Sequence, residues 1–140
     1  MMQILNVRNI LVLAAGMLLI SSCQESKTAR FERETQEFTK KNCPQVVNGN
    51  YKWIVLDSLV FHDDGSNNYI SYYTVNSDSI DVSLLDQVWD DFSQELRRGV
   101  INSVELRHVK EAGLNILYTY RDSKTQKELA KFVFTKEDYE

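Results

Sequence analysis

Tyr51-Lys-Trp-Ile-Val-Leu-Asp-Ser-Leu-Val-Phe-His62 is followed by Asp63-Asp-Gly-Ser-Asn-Asn68 and then by Tyr69-Ile-Ser-Tyr-Tyr-Thr-Val75. The three pieces read as a β-hairpin. The first sets Tyr51, Trp53 and Val55 against Ile54, Leu56 and Val60, apolar on both faces, as a central strand requires. The second is dense in turn formers, and the third returns as a strand rich in aromatic and β-branched residues. The turn's carboxylates lack the spacing and terminal Glu of a calcium-binding loop, so it is read as a solvated turn.

Working outward toward the C-terminus, the period changes from two to that of a helix. Asn76 to Ser83 is a polar connection, and Ser83 with Asp86 reads as a capping box. Leu85, Val88, Trp89, Phe92 and Leu96 then recur at helical spacing, with Asp86, Asp90, Asp91, Glu95 and Arg97 outward and Gly99 at the expected end. Trp89 and Phe92 are expected as core anchors. A shorter helix is expected from Asn102 or Ser103 to Ala112, stopped by Gly113. Leu114 to Arg121 places Leu114, Ile116, Tyr118 and Tyr120 on one face, Asp122 to Gln126 turns, and Lys127 to Thr135 places Ala130, Phe132 and Phe134 on one face. This is a second hairpin.

Working toward the N-terminus, Ser26 or Thr28 caps a helix running to about Asn42, with Phe31, Thr35 and Phe38 on its apolar stripe. Pro44 stops it, because the residue before a proline is steered out of the helical region. The expected fold class is therefore α+β: an N-terminal helix, then a four-stranded antiparallel sheet made of two hairpins with a helix pair inserted between them. Its bare face is expected to carry Ser71, Asn115, Thr119 and Lys131.

Ahead of this domain, Ile10 to Ile20 contains no polar side chain and follows a leader whose one charge is Arg8. A bilayer core needs about twenty apolar residues in a helix, so this shorter run fits the hydrophobic region of a signal peptide. Ile20-Ser21-Ser22-Cys23 resembles the lipobox of bacterial lipoproteins. That resemblance implies a signal peptide over 1–22, diacylation of the Cys23 sulfur and a lipidated product that begins at Cys23, with palmitate among its chains. Two or three acyl chains hold durably, since each buried methylene contributes about 0.8 kcal/mol. Residues 23–27 then form a short tether: four extended residues reach only about 14 Å, which keeps a single domain over 28–140 close to the headgroups.

Composition narrows the partners. The formal net charge is −4, and one unit more negative once Arg8 leaves with the leader. Nucleic acid is excluded as a partner by the lack of a basic face. Cys43 is left without a second cysteine and is read as a small packed hydrophobe. His62 and His108, the only histidines, belong to no metal signature, and no Gly-x-Ser-x-Gly elbow or phosphate-cradling glycine loop occurs. No catalytic residue, metal or cofactor is assigned.

Three further resemblances attach to named residues. Gln45-Val46-Val47-Asn48-Gly49 resembles the Gln-x-Val-x-Gly loop of cystatins, which implies cysteine-protease inhibition through Gln45, Val47 and Gly49. The chain departs from that family in lacking a full strand between helix and loop and in lacking the later Pro-Trp loop. Asn42-Cys43-Pro44 with Val47, Ser71 to Val75, Val100 to Ser103, Glu111 to Leu114 with Tyr118 and Tyr120, and Thr135 to Tyr139 together are similar to a group of small exported bacterial proteins of unassigned activity. Asp57-Ser58-Leu59 and Asp78-Ser79-Ile80 resemble the acceptor sites of Bacteroidota O-glycosylation, which implies Ser58 and Ser79 as modified residues.

The functional expectation is a membrane-anchored envelope lipoprotein, facing the periplasm or the cell surface and on the outer membrane in preference to the inner. It would serve as a non-catalytic binding or accessory module for an envelope protein partner. The alternatives are a cystatin-like inhibitor and a small hydrolase.

Overall fold

The structure, a computed structural model, describes residues 24–140 apart from Asn48. The expected signal peptide over 1–22 and the acylated Cys23 lie outside the described residues.

Helix α1 (Lys27–Asn42) begins where the Ser26 hydroxyl accepts the Ala29 N–H at 3.1 Å, satisfying one of the donors a helix start leaves open. Phe31 and Thr35 are its buried residues. The helix lies along strand β2 (Ile54–Phe61), where the Thr39 hydroxyl accepts the Leu59 N–H at 3.0 Å and donates to the Leu59 carbonyl at 2.9 Å. The Glu32 carboxylate accepts the Asp63 N–H beyond the same strand at 2.9 Å. One threonine thus stands in for a neighbouring strand and closes part of the sheet edge.

The sheet has five strands in the order β1 (Gln45–Val46), β2, β3 (Asn68–Val75), β4 (Asn115–Asp122) and β5 (Glu128–Phe134). Both expected hairpins are present, β2 with β3 and β4 with β5. Two expectations are corrected. Gln45–Val46 adds a short fifth strand against Leu56 and Val55, and β3 pairs with β4 in parallel, from Asn68 opposite Asn115 to Val75 opposite Asp122. The sheet is therefore not four antiparallel strands. Parallel neighbours need a crossover of a dozen or more residues, and the helical stretch between β3 and β4 supplies one, returning the chain to the end where β3 began.

The inserted helices also differ in detail. The Asp81 carboxylate, not a Ser83–Asp86 box, accepts the Ser83 N–H at 3.0 Å and opens a 3₁₀ turn over Val82–Gln87. Helix α2 follows (Trp89–Asn102) and runs past Gly99, which keeps an ordinary helical backbone and so does not terminate it. The Ser103 hydroxyl accepts the Leu106 N–H at 3.2 Å, and the short helix α3 (Arg107–Glu111) ends before Gly113 at φ 69°. A last turn, α4 (Lys136–Tyr139), carries a reciprocal Thr135–Asp138 box, and the Tyr139 hydroxyl donates to the Leu114 carbonyl at 2.7 Å.

The helices cover one face of the sheet. Two apolar clusters lie side by side beneath them. One joins Phe31, Phe61, Val100, Val109, Leu114, Ile116 and Phe134; the other joins Ile54, Val75, Leu85 and Tyr120 and is ringed by half-buried aromatics. On the opposite face, Thr119 pairs with Lys131 as expected, but Ser71 lies on the covered face, where it is buried. Strand β3 is apolar on both sides, so its own pattern does not say which parity the helices cover.

Candidate functional site

The second cluster opens into a cleft. The parallel register of β3 and β4 sets Tyr73 beside Tyr120, with ring centroids 4.8 Å apart and planes 10° from parallel, and beside Tyr118 at 6.3 Å. These rings form the floor. Trp89, Phe92 and Leu96 recur along α2 at spacings of three and four and face that floor: Phe92 meets Tyr120 edge-on at 5.4 Å, and Trp89 lies 5.8 Å from both Tyr120 and Phe132. Trp89 and Phe92 pack against the buried cluster, but each stays half-buried and borders the cleft where core anchors were expected.

The third wall is the segment before β2. Val47 donates its N–H to the Ile54 carbonyl at 3.0 Å, which turns the chain back on itself, and Gly49 takes a positive φ of 83° to enter a 3₁₀ turn over Gly49–Tyr51. Asn76 N–H then fixes the Trp53 carbonyl at 2.8 Å. Tyr51 packs edge-on against Trp53 at 5.9 Å and Phe92 at 5.8 Å, and its hydroxyl donates to the Glu95 carboxylate at 3.2 Å. That hydrogen bond crosses the cleft like a bar. On one side is a cavity of 260 Å³ between Val47, Ile54, Leu96, Gly99 and the three floor tyrosines. On the other is a cavity of 310 Å³ between Trp53, Ile80, Leu85, Val88, Trp89 and Asp91. Tyr51, Phe92 and Glu95 belong to both.

The tyrosine hydroxyls of the cleft carry no charge. Burial pushes the Tyr118 and Tyr120 hydroxyls far above their ordinary value, and neighbouring tyrosines add to it; burial also raises Tyr73. The Tyr51 hydroxyl is raised first by its bond to Glu95 and then by burial. All four are neutral at physiological pH. The ionisable groups that border the two cavities are the tyrosine hydroxyls and the Asp91 and Glu95 carboxylates.

The residues singled out from sequence fall elsewhere, with one exception. Gln45 sits in β1, so the cystatin-like stretch begins as a paired sheet edge, Gly49 lies in the 3₁₀ turn, and only Val47 reaches the cleft. Ser58 follows a bulge in β2 and is half-buried beside α1, whereas Ser79 is exposed in the connection after β3, its N–H held by the Asn76 carbonyl at 3.0 Å. Cys43 is half-buried at the end of α1, its thiol pushed up by burial and then by the Asp57 charge. His62 is exposed, and His108 stacks on Phe31 at 5.5 Å. Among the described residues, no three His, Cys, Asp or Glu side chains gather as metal ligands would. Sequence reasoning missed Tyr51, Trp53 and Glu95; the density of aromatic residues just before β2 was the available signal.

The fold is a two-layer α+β domain with an aromatic-lined cleft between its layers. The chain belongs to the family described as a domain of unknown function, DUF8479, whose model matches residues 26–130. No curated protein matches it significantly. Three solved structures are similar to it. A Pseudomonas aeruginosa protein inferred to be secreted, PA3611, shares 15% identity at a TM-score of 0.63, covering 84% of this chain and 99% of its own. The type II secretion system pilotin AspS of Vibrio cholerae shares 12% at 0.53, covering 79% and 90%. The type 2 secretion system pilotin EpsS of Vibrio vulnificus shares 11% at 0.52, covering 81% and 91%. At such identities the likeness is one of fold.

Proposed function

We propose that this protein is an outer-membrane lipoprotein anchored through Cys23, whose domain serves as a non-catalytic accessory module holding apolar side chains of an envelope protein partner in the cleft between α2 and the sheet. The observation that carries the proposal is the pair of aromatic cavities on either side of the Tyr51–Glu95 bridge, open to solvent. Ligand sites are concave and mostly apolar with a few placed polar groups, which describes this cleft. The lipobox-like Ile20-Ser21-Ser22-Cys23 and a fold shared with two secretion-system pilotins support an envelope accessory role.

A photo-crosslinking residue at Gly99 tests the binding half. Gly99 borders the first cavity and has no atom near its Cβ direction, so a side chain there enters open space. In intact envelopes of the native cell, a discrete adduct with one envelope protein is expected from position 99 and none from Lys131 on the opposite face. Equal adducts from both positions, or none from either, would overturn the binding role. Replacing Cys23 with serine tests the anchor: the protein should move from the detergent-soluble membrane fraction to the aqueous one.

A further inference from the structure

The stretch that leads from β3 into the middle of α2 is acidic, although Lys52, Arg97 and Arg98 lie beside other cleft residues in sequence. Six of the twenty carboxylates, Asp78, Asp81, Asp86, Asp90, Asp91 and Glu95, fall between Asn76 and Leu96, a stretch without a single Lys or Arg. Asp78 meets Lys124 at 2.6 Å and Asp81 is occupied at the start of the 3₁₀ turn, but among the described residues no cation pairs with Asp86, Asp90, Asp91 or Glu95. Asp91 and Glu95 stand one turn apart on α2 and border the second cavity, whose remaining walls include Tyr51, Trp53, Trp89 and Phe92. Val88, another of its walls, is exposed at 48%.

Aromatic faces next to carboxylates are suited to an organic cation. A guanidinium or ammonium group is drawn to the negative face of Trp or Tyr, and a neighbouring carboxylate adds a charge-assisted hydrogen bond. The long apolar stem of Arg or Lys packs on the same rings that its head reaches past. Resting on the accessory reading above, we infer that the partner is a basic polypeptide segment, with an aliphatic or aromatic side chain in the Tyr73–Tyr118–Tyr120 cavity and an adjacent Arg or Lys in the Trp53–Trp89 cavity beside Asp91 and Glu95. The two cavities share a wall, so the two side chains belong to one short stretch of chain.

Trp53 and Trp89 are the protein's only tryptophans and both border the second cavity, so intrinsic fluorescence reports its occupancy directly. The test titrates the full chain with three synthetic peptides of equal length, alternating leucine with arginine, glutamine or glutamate. The arginine peptide should bind about tenfold more tightly than the glutamine peptide, with the glutamate peptide weakest, and the advantage should shrink as salt rises. Asp91→Asn with Glu95→Gln should reduce the arginine peptide to the affinity of the glutamine peptide. Glu105→Gln with Glu128→Gln removes equal charge elsewhere and should leave the advantage in place. Equal binding of the arginine and glutamine peptides, or an advantage that survives the first pair or is lost with the second, would overturn the basic-partner inference while leaving an apolar receptor standing. Tryptophan emission unmoved by any of the three would overturn that receptor as well.

Discussion

The two apolar clusters under the helices both draw on β2, β3, β4 and β5 and share Leu96, Tyr118 and Phe132 at their boundary, yet they are closed to different degrees. Where α1 and α3 meet the sheet, seven residues from six different segments are buried together, and the tightest are aliphatic or phenylalanine. At the other end only four are buried, and the aromatic side chains around them each keep one side in solvent. The difference teaches how a small domain divides its labour. One end supplies more of the apolar burial that offsets chain entropy, and the other leaves rings half-covered around a cleft.

That contrast can be broken by mutation. The largest effect is expected at the closed end: Phe61→Ala, at a residue 2% exposed, should destabilise the fold by about 3–5 kcal/mol in denaturant unfolding. Phe92→Ala, at the open end, should lose only about 1–2 kcal/mol because much of its ring already meets water, while abolishing peptide-induced tryptophan changes. Equal losses at the two positions would erase the distinction. Thr39→Val should cost about 1–3 kcal/mol, since it leaves both backbone groups of Leu59 without their partner at the sheet edge.

A pH titration sharpens the same comparison without mutation. Tyr73, Tyr118 and Tyr120 have native values raised above those of the unfolded chain, chiefly by burial, so their contribution to stability is complete below about pH 10 and is lost as pH rises beyond it. Ultraviolet titration should show the less buried tyrosines ionising first and these three only together with unfolding. Smooth ionisation of all seven near pH 10 would show the cleft floor to be wetter than its packing indicates. The smallest effect is expected from Arg107→Ala: its exposed bond to Glu111, 2.9 Å long and one turn away on α3, should leave the melting temperature unchanged within error.

Much of the architecture was legible along the chain. Ser26, Pro44, Gly113 and the turn at Asp63–Asn68 act on their own neighbourhoods, so the caps and stops they imply appear where local chemistry puts them. Alternation within β4 and β5, and apolar residues on both faces of β2, likewise mark strands. Less of the cleft was legible. Trp89 and Phe92 stood out as an apolar stripe, but nothing nearby in sequence showed that Tyr51, more than forty residues away by chain order, would bridge to Glu95 and divide the space before them.

By itself, then, the sequence determined most of the element types and their limits, the acidic balance of the helical crossover and the lipobox-like stretch Ile20-Ser21-Ser22-Cys23, because each depends on residues within a turn or two of one another. Tertiary structure alone decided that β3 and β4 run parallel, that Gln45–Val46 joins the sheet, that Ser71 faces the helices, and that three tyrosines from two strands make one floor. The physical reason is that strand direction and face are chosen by where a long crossover delivers the chain and which side the helices cover. Those are properties of packing between distant segments, and no local period encodes them.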